Sequence, residues 1–465
     1  MIDGLRPYPE MKPTGLPWLE ELPIGWEFRR AKYSFFEASD RSVLGDEELL
    51  SVSHKTGVTP RRQKNITMFM AESYEGHKVC RPGDVVVNTM WAWMAALGVS
   101  RDTGIVSPAY GIYRPRMSDR FEPKFLDYLL RIESYRAEYV RSSRGVTMSR
   151  LRLYPPDFLN IPFVQPPIEE QRLIVRFLNW HGGQVARLIR AKKKLIALLN
   201  EQKQAIILKA VTSGLDAQAK TKPSGIDWLG DVPEGWEVKK LKYLVRFNNG
   251  LAFKPSDWSN SGVPIIRIQN LNGSETFNYT TKSNLPEAML IEKGGIVFSW
   301  SGNIGTSFGP FVWERDFKGY LNQHIFKLEK IGAHRRYFYY VLKAVTKHVE
   351  ENTHGIIGLV HITKPQLGSI SVPLAPPHEQ SRIADWIDGQ LAGTNAIIDR
   401  AQREIGLLQE FRTRMIADVV TGKLDVRTIA ASLPETDEYE VADDLSEDDE
   451  LDDMADDTED EEAAA

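Results

Sequence analysis

A chain of 465 residues, 42% hydrophobic and 26% charged, is long enough for two or three packed domains of ~100–200 residues each. Its formal charge of −5 conceals a segregation: Glu435 to Glu462 hold 18 acidic residues and no Lys or Arg, so residues 1–434 carry about +13, a balance that fits a polyanionic partner. The one cysteine, Cys80, excludes a disulfide scaffold or a Cys-based zinc site and fits a reducing compartment; no run of ~18 apolar residues could span a membrane; and the opening MIDGLRPYPEMKPTG lacks the pattern of a secretory signal, so an intracellular protein is expected.

The chain is written twice. GLPWLEELPIGWEFRRAKY (Gly15 to Tyr33) aligns without a gap on GIDWLGDVPEGWEVKKLKY (Gly225 to Tyr243), with Trp18/Trp228, Pro23/Pro233, Trp26/Trp236 and Glu27/Glu237 among the identical pairs. The same offset of 210 places Gly145 on Gly355 and Pro166–Pro167 on Pro376–Pro377; one residue is then lost, and Glu170–Gln171 meets Glu379–Gln380. Such self-similarity defines the architecture before any local pattern does. It divides the chain into an opening segment (1–27), a first module (28–165), a long helix (166–216), a repeated opening segment (217–237), a second module (238–375), a second long helix (376–425) and an acidic tail (426–465) expected to be disordered.

In chain order, Asp84-Val-Val-Val87 behind Gly83 reads as a short buried strand, and Phe125 to Leu130 as a helix. After Pro166–Pro167, which a helix interior excludes, apolar residues recur at Ile174, Leu178, Val185, Leu188, Leu195, Leu199 and Ile206, the intervals of a coiled-coil seam. At 1.5 Å per residue, Ile168 to Thr212 would form a rod of roughly 65 Å. The second module repeats the pattern with a strand at Ile296-Val-Phe298 behind Gly294 and a helix at Tyr337 to Leu342. Its seam is Ile387, Leu391, Ile398, Ala401, Ile405, Leu408, Met415 and Val419. Each stripe needs a partner: the equivalent helix of the other half, or a second chain. Thr212-Ser-Gly214 and Thr421-Gly422 supply the helix stops.

Motifs for catalysis do not emerge. There is no GxxxxGK[ST], no HExxH and no Asn-Pro-Pro-aromatic tetrad. Pro82-Gly-Asp84 followed by Glu122-Pro-Lys124 imitates an acid and acid-x-Lys arrangement for a divalent ion, but it also reads as a turn before a strand and an exposed helix start. The positive signals fit nucleic acid. Arg141, Arg144, Arg150 and Arg152 are interleaved with Ser142, Ser143, Thr147 and Ser149, a mixture suited to phosphate and base-edge contacts. Arg61, Arg62 and Lys64 form a second cluster, and Lys192, Lys193 and Lys194 lie on a basic first long helix that would neutralise phosphates without reading sequence. Two polar-aromatic stretches in each half could read bases: Asn88 to Trp91 with Ser107 to Tyr110, and Trp300, Ser301 and Asn303 with Asn322 and Gln323. Asn and Gln pair bidentately with adenine. The bland alternatives are a solvated face for the charges and core packing for Trp91, Trp93 and Trp300, with His324 a hydrogen-bonded structural residue.

The tandem halves, the LxxxPxGWE openings (Leu19 to Glu27, Leu229 to Glu237), the PPxEEQ and PPxEQ stops and the strings SWSGNIGTSFG and GYLNQHIFKL resemble the DNA-specificity subunits of type I restriction–modification enzymes, over nearly all of residues 15–425. The resemblance implies an α/β fold class: two tandem α/β target-recognition domains joined by two long antiparallel coiled-coil helices, a pseudo-twofold internal repeat. It implies a non-catalytic prokaryotic cytoplasmic subunit that reads a bipartite double-stranded DNA target. Two methyltransferase subunits and two restriction subunits would dock on it, and S-adenosylmethionine, ATP and Mg would be used in those partners, with no cofactor in this chain. A rod near 65 Å is about two turns of duplex at ~34 Å each, which suits a gapped target. The competing classes are a self-sufficient nuclease or methyltransferase, which lacks its motifs, and a coiled-coil adaptor, which would not need two large divergent modules. Two departures stand out: His354-Gly-Ile-Ile-Gly358 is more apolar than the family's Gly-rich loop, and the acidic tail is outside the family pattern. The tail reads as a solubilising extension. Deleting residues 435–465 should therefore leave non-specific DNA affinity unchanged across a salt titration, whereas a gain in affinity would identify the tail as a competitor for the basic surface.

Overall fold

The computed structural model describes residues 5–63, 73–352 and 359–434. Lys64, the stretch His354 to Gly358 and the acidic run from Glu435 therefore lie outside the described residues. The chain forms two units: residues up to Lys193 together with those from Gln402 on, and Lys194–Ala401. Two helices dominate, α1 (Ile168–Ser213) and α2 (Pro377–Val420), and each unit takes the first part of one with the last part of the other.

Both units are built on the same sheet. In the first, β1 (Phe35–Glu37), β2 (Val85–Val87), β3 (Leu97–Val99) and β4 (Gly111–Pro115) lie in the order β1-β4-β2-β3, all antiparallel. In the second, β5 (Arg246–Asn249), β6 (Ile296–Ser299), β7 (Gly309–Val312) and β8 (Ile325–Glu329) lie in the order β5-β8-β6-β7, again antiparallel. The strands expected at Asp84–Val87 and Ile296–Phe298 are the inner strands β2 and β6. Side chains alternate across a strand, and here both faces are covered: Val85 and Val87 enter the main core while Val86 enters a smaller one. Ile296 and Phe298 likewise face one core and Val297 another. A run of unbroken apolar residues is what burial on both faces demands. Gly83 (φ 90°) and Gly294 (φ 79°) make the turns into these strands in the left-handed region, where a side chain would be strained.

The helices expected around Phe125–Leu130 and Tyr337–Leu342 are present as Pro123–Leu130 and Arg335–Asn352. Their buried faces close the main core of each unit. Tyr135 and Tyr337, both fully buried, repeat one device. Tyr135 Oη donates to Pro162 O (3.1 Å) and accepts from Val164 N (3.1 Å); Tyr337 Oη donates to Pro373 O (3.2 Å) and accepts from Ala375 N (3.2 Å). Each ties the strand before a double proline to its core.

Within the first unit, Ile174, Phe177 and Leu178 share a core with Met415 and Val419, while Lys192 pairs with Glu404. Within the second, Ile207, Ala210 and Val211 share a core with Ile383 and Ile387, while Lys203 faces Asp399. Residue numbers rise on one helix as they fall on the other, so the two helices run antiparallel in both units. The α2 seam follows its sequence pattern, with Ile387, Leu391, Ile398, Ala401, Met415 and Val419 buried. The α1 seam does not. Leu188 and Leu195 are 51% and 43% exposed, and Ala186 and Ile189 are buried instead. After Val185 the facing positions advance by four and then three, reaching Ile189 and Lys192, where the apolar pattern advances by three and then seven, to Leu188 and Leu195. Two lysines consequently lie on the inner face, and a polar residue at such a position specifies register. Burial lowers the Lys203 ammonium below the usual lysine range, with Asp399 opposing that shift.

The boundary of the expected tail also moves. Val426 and Ala430 are fully buried, and Arg427–Ser432 is a helix. The reason is at the other end of the chain: Asp425 N donates to Arg6 O (2.8 Å), and Tyr8 and Leu19 share the core with Val426 and Ala430.

Asp84, half of the metal-like pattern, is committed to structure. Its side chain is 2% exposed and accepts from Arg114 Nε (3.0 Å), Arg114 Nη2 (2.9 Å) and Arg81 N (2.9 Å). Glu122 caps a helix by accepting from Phe125 N (2.7 Å). Among the described residues no group of three or more His, Cys, Asp or Glu could hold a metal ion, and no helix is long and apolar enough to cross a membrane. Asp84→Asn should lower stability by about 2–3 kcal/mol, since it removes the carboxylate facing a half-buried guanidinium that keeps Asp40 as a second partner. Urea denaturation measures this, and an unchanged midpoint would contradict the assignment.

Candidate nucleic-acid interface

The end of β2 lies beside the start of β4, because Val87 pairs with Gly111. This brings together the two polar-aromatic stretches of the first half. Asn88 Nδ2 donates to Tyr110 Oη (3.0 Å), and Thr89 Oγ1 to Ala109 O (2.9 Å). Asn88 Oδ1 accepts from Met90 N (3.2 Å), turning the chain so that Trp91 stacks on Trp93 with ring centres 6.2 Å apart. Trp91 is 45% exposed, whereas Trp93 is partly buried and donates to Met90 O (3.1 Å). Ser107 turns its loop through Tyr110 N to Ser107 O (3.0 Å) and Ala109 N to Ser107 Oγ (3.3 Å). Burial raises the Tyr110 phenol, and the nearby Arg61 charge opposes this, so Arg61 borders the same surface. Arg62 pairs with Glu48 at 3.5 Å.

The arginine-rich stretch joins this cluster. Arg144 and Arg152 bridge through both backbone pairs (2.9 Å each), and Leu153 N donates to Thr89 O (3.1 Å). Between them the chain closes into a loop whose tip exposes Val146 and Met148. Gly145 is needed there, since a Cβ would lie 2.6 Å from Arg150 O. Arg150 and Thr147 are exposed, and the side chain of Ser149 lies outside the described set. Arg141 and Arg144 are exposed but paired, Arg141 with the buried Glu138 and Arg144 with Asp157 (2.8 Å). Residues 141–152 contain no Asp or Glu, and Glu138 sits about one helical turn before them.

The second unit repeats the placement. Ser299 pairs with Ile325, and Trp300, directly after β6, donates from its backbone to His324 O (3.1 Å) and from its indole to Gln323 O (2.9 Å). Trp300 stacks on Phe326 at 5.8 Å and meets the His361 ring edge-on at 4.7 Å. Its ring is partly buried against the core. Ser301 and Asn303 pair with His361 and Leu359, the strand that adjoins the segment equivalent to the arginine loop. Asn303 is exposed, Asn322 Oδ1 accepts from Gln323 N, and the Gln323 amide lies 3.1 Å from the His324 ring. Of the helix lysines, Lys192 turns to Glu404, whereas Lys194 is exposed and Lys193 half-buried.

The repeated motifs have a separate place. The Trp26 indole donates to Glu170 (3.1 Å) and the Trp236 indole to Glu379 (3.1 Å). Gln171 accepts from Glu122 N (2.8 Å) and donates to Pro166 O (2.8 Å); Gln380 accepts from His334 N (2.6 Å) and donates to Ala375 O (2.7 Å). The GWE and PPxE(E)Q strings thus lock each module to the start of its long helix. The tyrosine device was missed in the sequence because Tyr135 and Tyr337 fall outside the 210-residue register; only their shared place before a double proline marks them.

The two units therefore carry like sheets with loop clusters at matching strand ends. Residues 233–406 match the family described as the type I restriction modification DNA specificity domain. The chain is 29% identical over 287 residues to the type I restriction enzyme MjaVIII specificity subunit of Methanocaldococcus jannaschii, covering 58% of this chain and 64% of the relative. It is 27% identical over 203 residues to the EcoBI specificity subunit of Escherichia coli, covering 43% and 41%. The first match thus spans just under two thirds of that relative's own length. A solved chain from a type I restriction–modification system has the same fold, with a TM-score of 0.57 at 18% identity over 86% of this chain and 98% of the other. The chain is thus similar to type I restriction–modification specificity subunits, and the match to the DNA specificity domain lies in its second half.

Trp91→Ala should leave stability within about 0.5 kcal/mol, since the ring is exposed, while weakening binding of cognate duplex in a fluorescence titration. A large fall in the melting temperature would make Trp91 a packing residue instead.

Proposed function

We propose that this chain is the DNA-specificity subunit of a type I restriction–modification complex, reading a bipartite double-stranded target and carrying no catalytic centre of its own. The observation that carries the reading is that two divergent modules place polar-aromatic loops at the same two strand junctions of the same sheet, β2/β4 and β6/β8. Sheets with both faces buried hold these loops rigidly, and base reading depends on amides and aromatic edges being positioned before contact. Asn303, Asn322 and Gln323 supply donors and acceptors in the second module; Trp91, Thr147 and Arg150 supply a stacking face, a hydroxyl and a cation in the first. The basic side chains Arg61, Lys193 and Lys194 suit phosphate contacts that position the duplex. Two different readers on one repeated frame fit a target with two different half-sites.

Adenine methylation, with S-adenosylmethionine, is assigned to two methyltransferase subunits docked on the repeated frame, and ATP- and Mg-dependent cleavage to two restriction subunits, in a prokaryotic cytoplasm. The commitment of Asp84 to Arg114 supports placing the chemistry in other chains. Co-expression with the cognate methyltransferase should give a stable complex that methylates adenine at a split motif, read by single-molecule sequencing. Exchanging residues 28–160 for those of a relative should change one half-site and leave the other intact; loss of both would refute modular reading.

A further inference from the structure

The Trp–Glu pair is covered in one unit and open in the other. In the first unit Tyr8 meets Trp26 edge-on (centroids 5.7 Å apart, planes at 73°), donates its hydroxyl to Glu170, and lies under the Arg427 guanidinium at 5.0 Å. Burial and the Glu170 carboxylate push its phenol far above the ordinary range, as a tyrosine sealed against an anion requires. The Glu170 side chain is left 10% exposed.

In the second unit the same pair, Trp236 and Glu379, lines a cavity of about 460 Å³, together with Gly214, Ala219, His378 and Arg382. Glu379 is 34% exposed. The strand registers show why none of the described residues fills it as Tyr8 fills the first. Lys12 pairs with Leu22 and Lys222 with Val232, and each lysine reaches the carbonyl of the facing turn, Ile24 O (2.9 Å) and Glu234 O (2.7 Å). Four residues before Lys12 stands Tyr8; four before Lys222 stands Gln218, between Ala217 and Ala219. The short helix that brings Arg427 has no counterpart either, since Gly214 leads to the next strand at Thr221. Arg382, whose counterpart by register is Leu173, nevertheless brings a guanidinium-bearing residue to the cavity lining.

We propose that this cavity receives a tyrosine side chain presented by an extended segment of another protein chain. Its hydroxyl donates to Glu379, its ring meets Trp236 edge-on, and Arg382 takes the part that Arg427 plays over Tyr8. The volume falls in the range of specific ligand sites. A chain segment is the occupant because the filled site is filled by one: Tyr8 stands between Pro7 and Pro9, whose fixed dihedrals hold the backbone extended and lower the cost of docking. The site is distinct from the loop clusters assigned to DNA, so its test does not depend on DNA binding.

The probe is a fluorescent peptide of sequence LRPYPEMK, the chain's own residues 5–12, titrated into the full-length protein. Saturable binding at one site per chain is expected, weakened at least tenfold in a Tyr8→Ala peptide and at least tenfold in the Arg382→Glu protein, whose exposed substitution should leave the melting temperature unchanged. A photoreactive phenylalanine at the tyrosine position should cross-link within residues 213–236 or 377–383. Absence of saturable binding, equal affinity of the alanine peptide or of the Arg382→Glu protein, or cross-links confined to residues 19–26 and 168–174 would each overturn the proposal.

Discussion

Everything else in each unit depends on one hydrogen bond, from a tryptophan indole to the glutamate at the start of a long helix. Trp26 and Trp236 are both about 1% exposed, so each indole N–H must find an acceptor inside the protein or cost the desolvation of an unsatisfied donor. Glu170 and Glu379 provide it, and in doing so fix where the helix begins relative to the module. The adjacent glutamines then bind the strand end before the double proline and the loop ahead of a core helix. A module, its opening segment and its helix are thereby held as one body, whatever the loops contain.

That division of labour explains the pattern of likeness and divergence between the halves. The inner strands β2 and β6 are apolar on both faces, so their composition is constrained by packing. The loops that leave them carry few core contacts beyond their first residues and are free to differ. Trp91 stands outward while Trp300 is laid against Phe326, although both follow the same strand end. One topology thus presents two chemically different surfaces.

The sequence made the repeat legible because tryptophan, proline and glycine punctuate it at fixed offsets. It made β2, β6 and the second helix seam legible because their apolar spacing matches their burial. It misplaced the first seam. Leu188 and Leu195 continue an apolar period, but the face that meets α2 carries Lys192, whose partner Glu404 lies 212 residues away. No local window contains that information. The same holds for Arg141 and Arg144, which read as free cations until Glu138 and Asp157 are brought beside them, and for Val426 and Ala430, whose burial depends on residues 5–19. In the interface, the sequence named the stretches; it did not indicate that Asn88 meets Tyr110 or that the arginine loop joins through Leu153 to Thr89.

The association of Tyr8 and Leu19 with Val426 and Ala430 has a consequence for synthesis. The first unit starts at the ribosome first yet is completed last, because its core needs residues made after the whole of the second unit. Lys194–Ala401 can close on itself earlier, with only its own sequence in hand. A chain emerging from the N-terminus therefore carries an unfinished module, with Phe177 and Leu178 still lacking Met415 and Val419, until the final helix is out. Closing so long a loop adds only slowly growing entropic cost, but it delays the event, and exposed apolar surface during that delay is where aggregation begins.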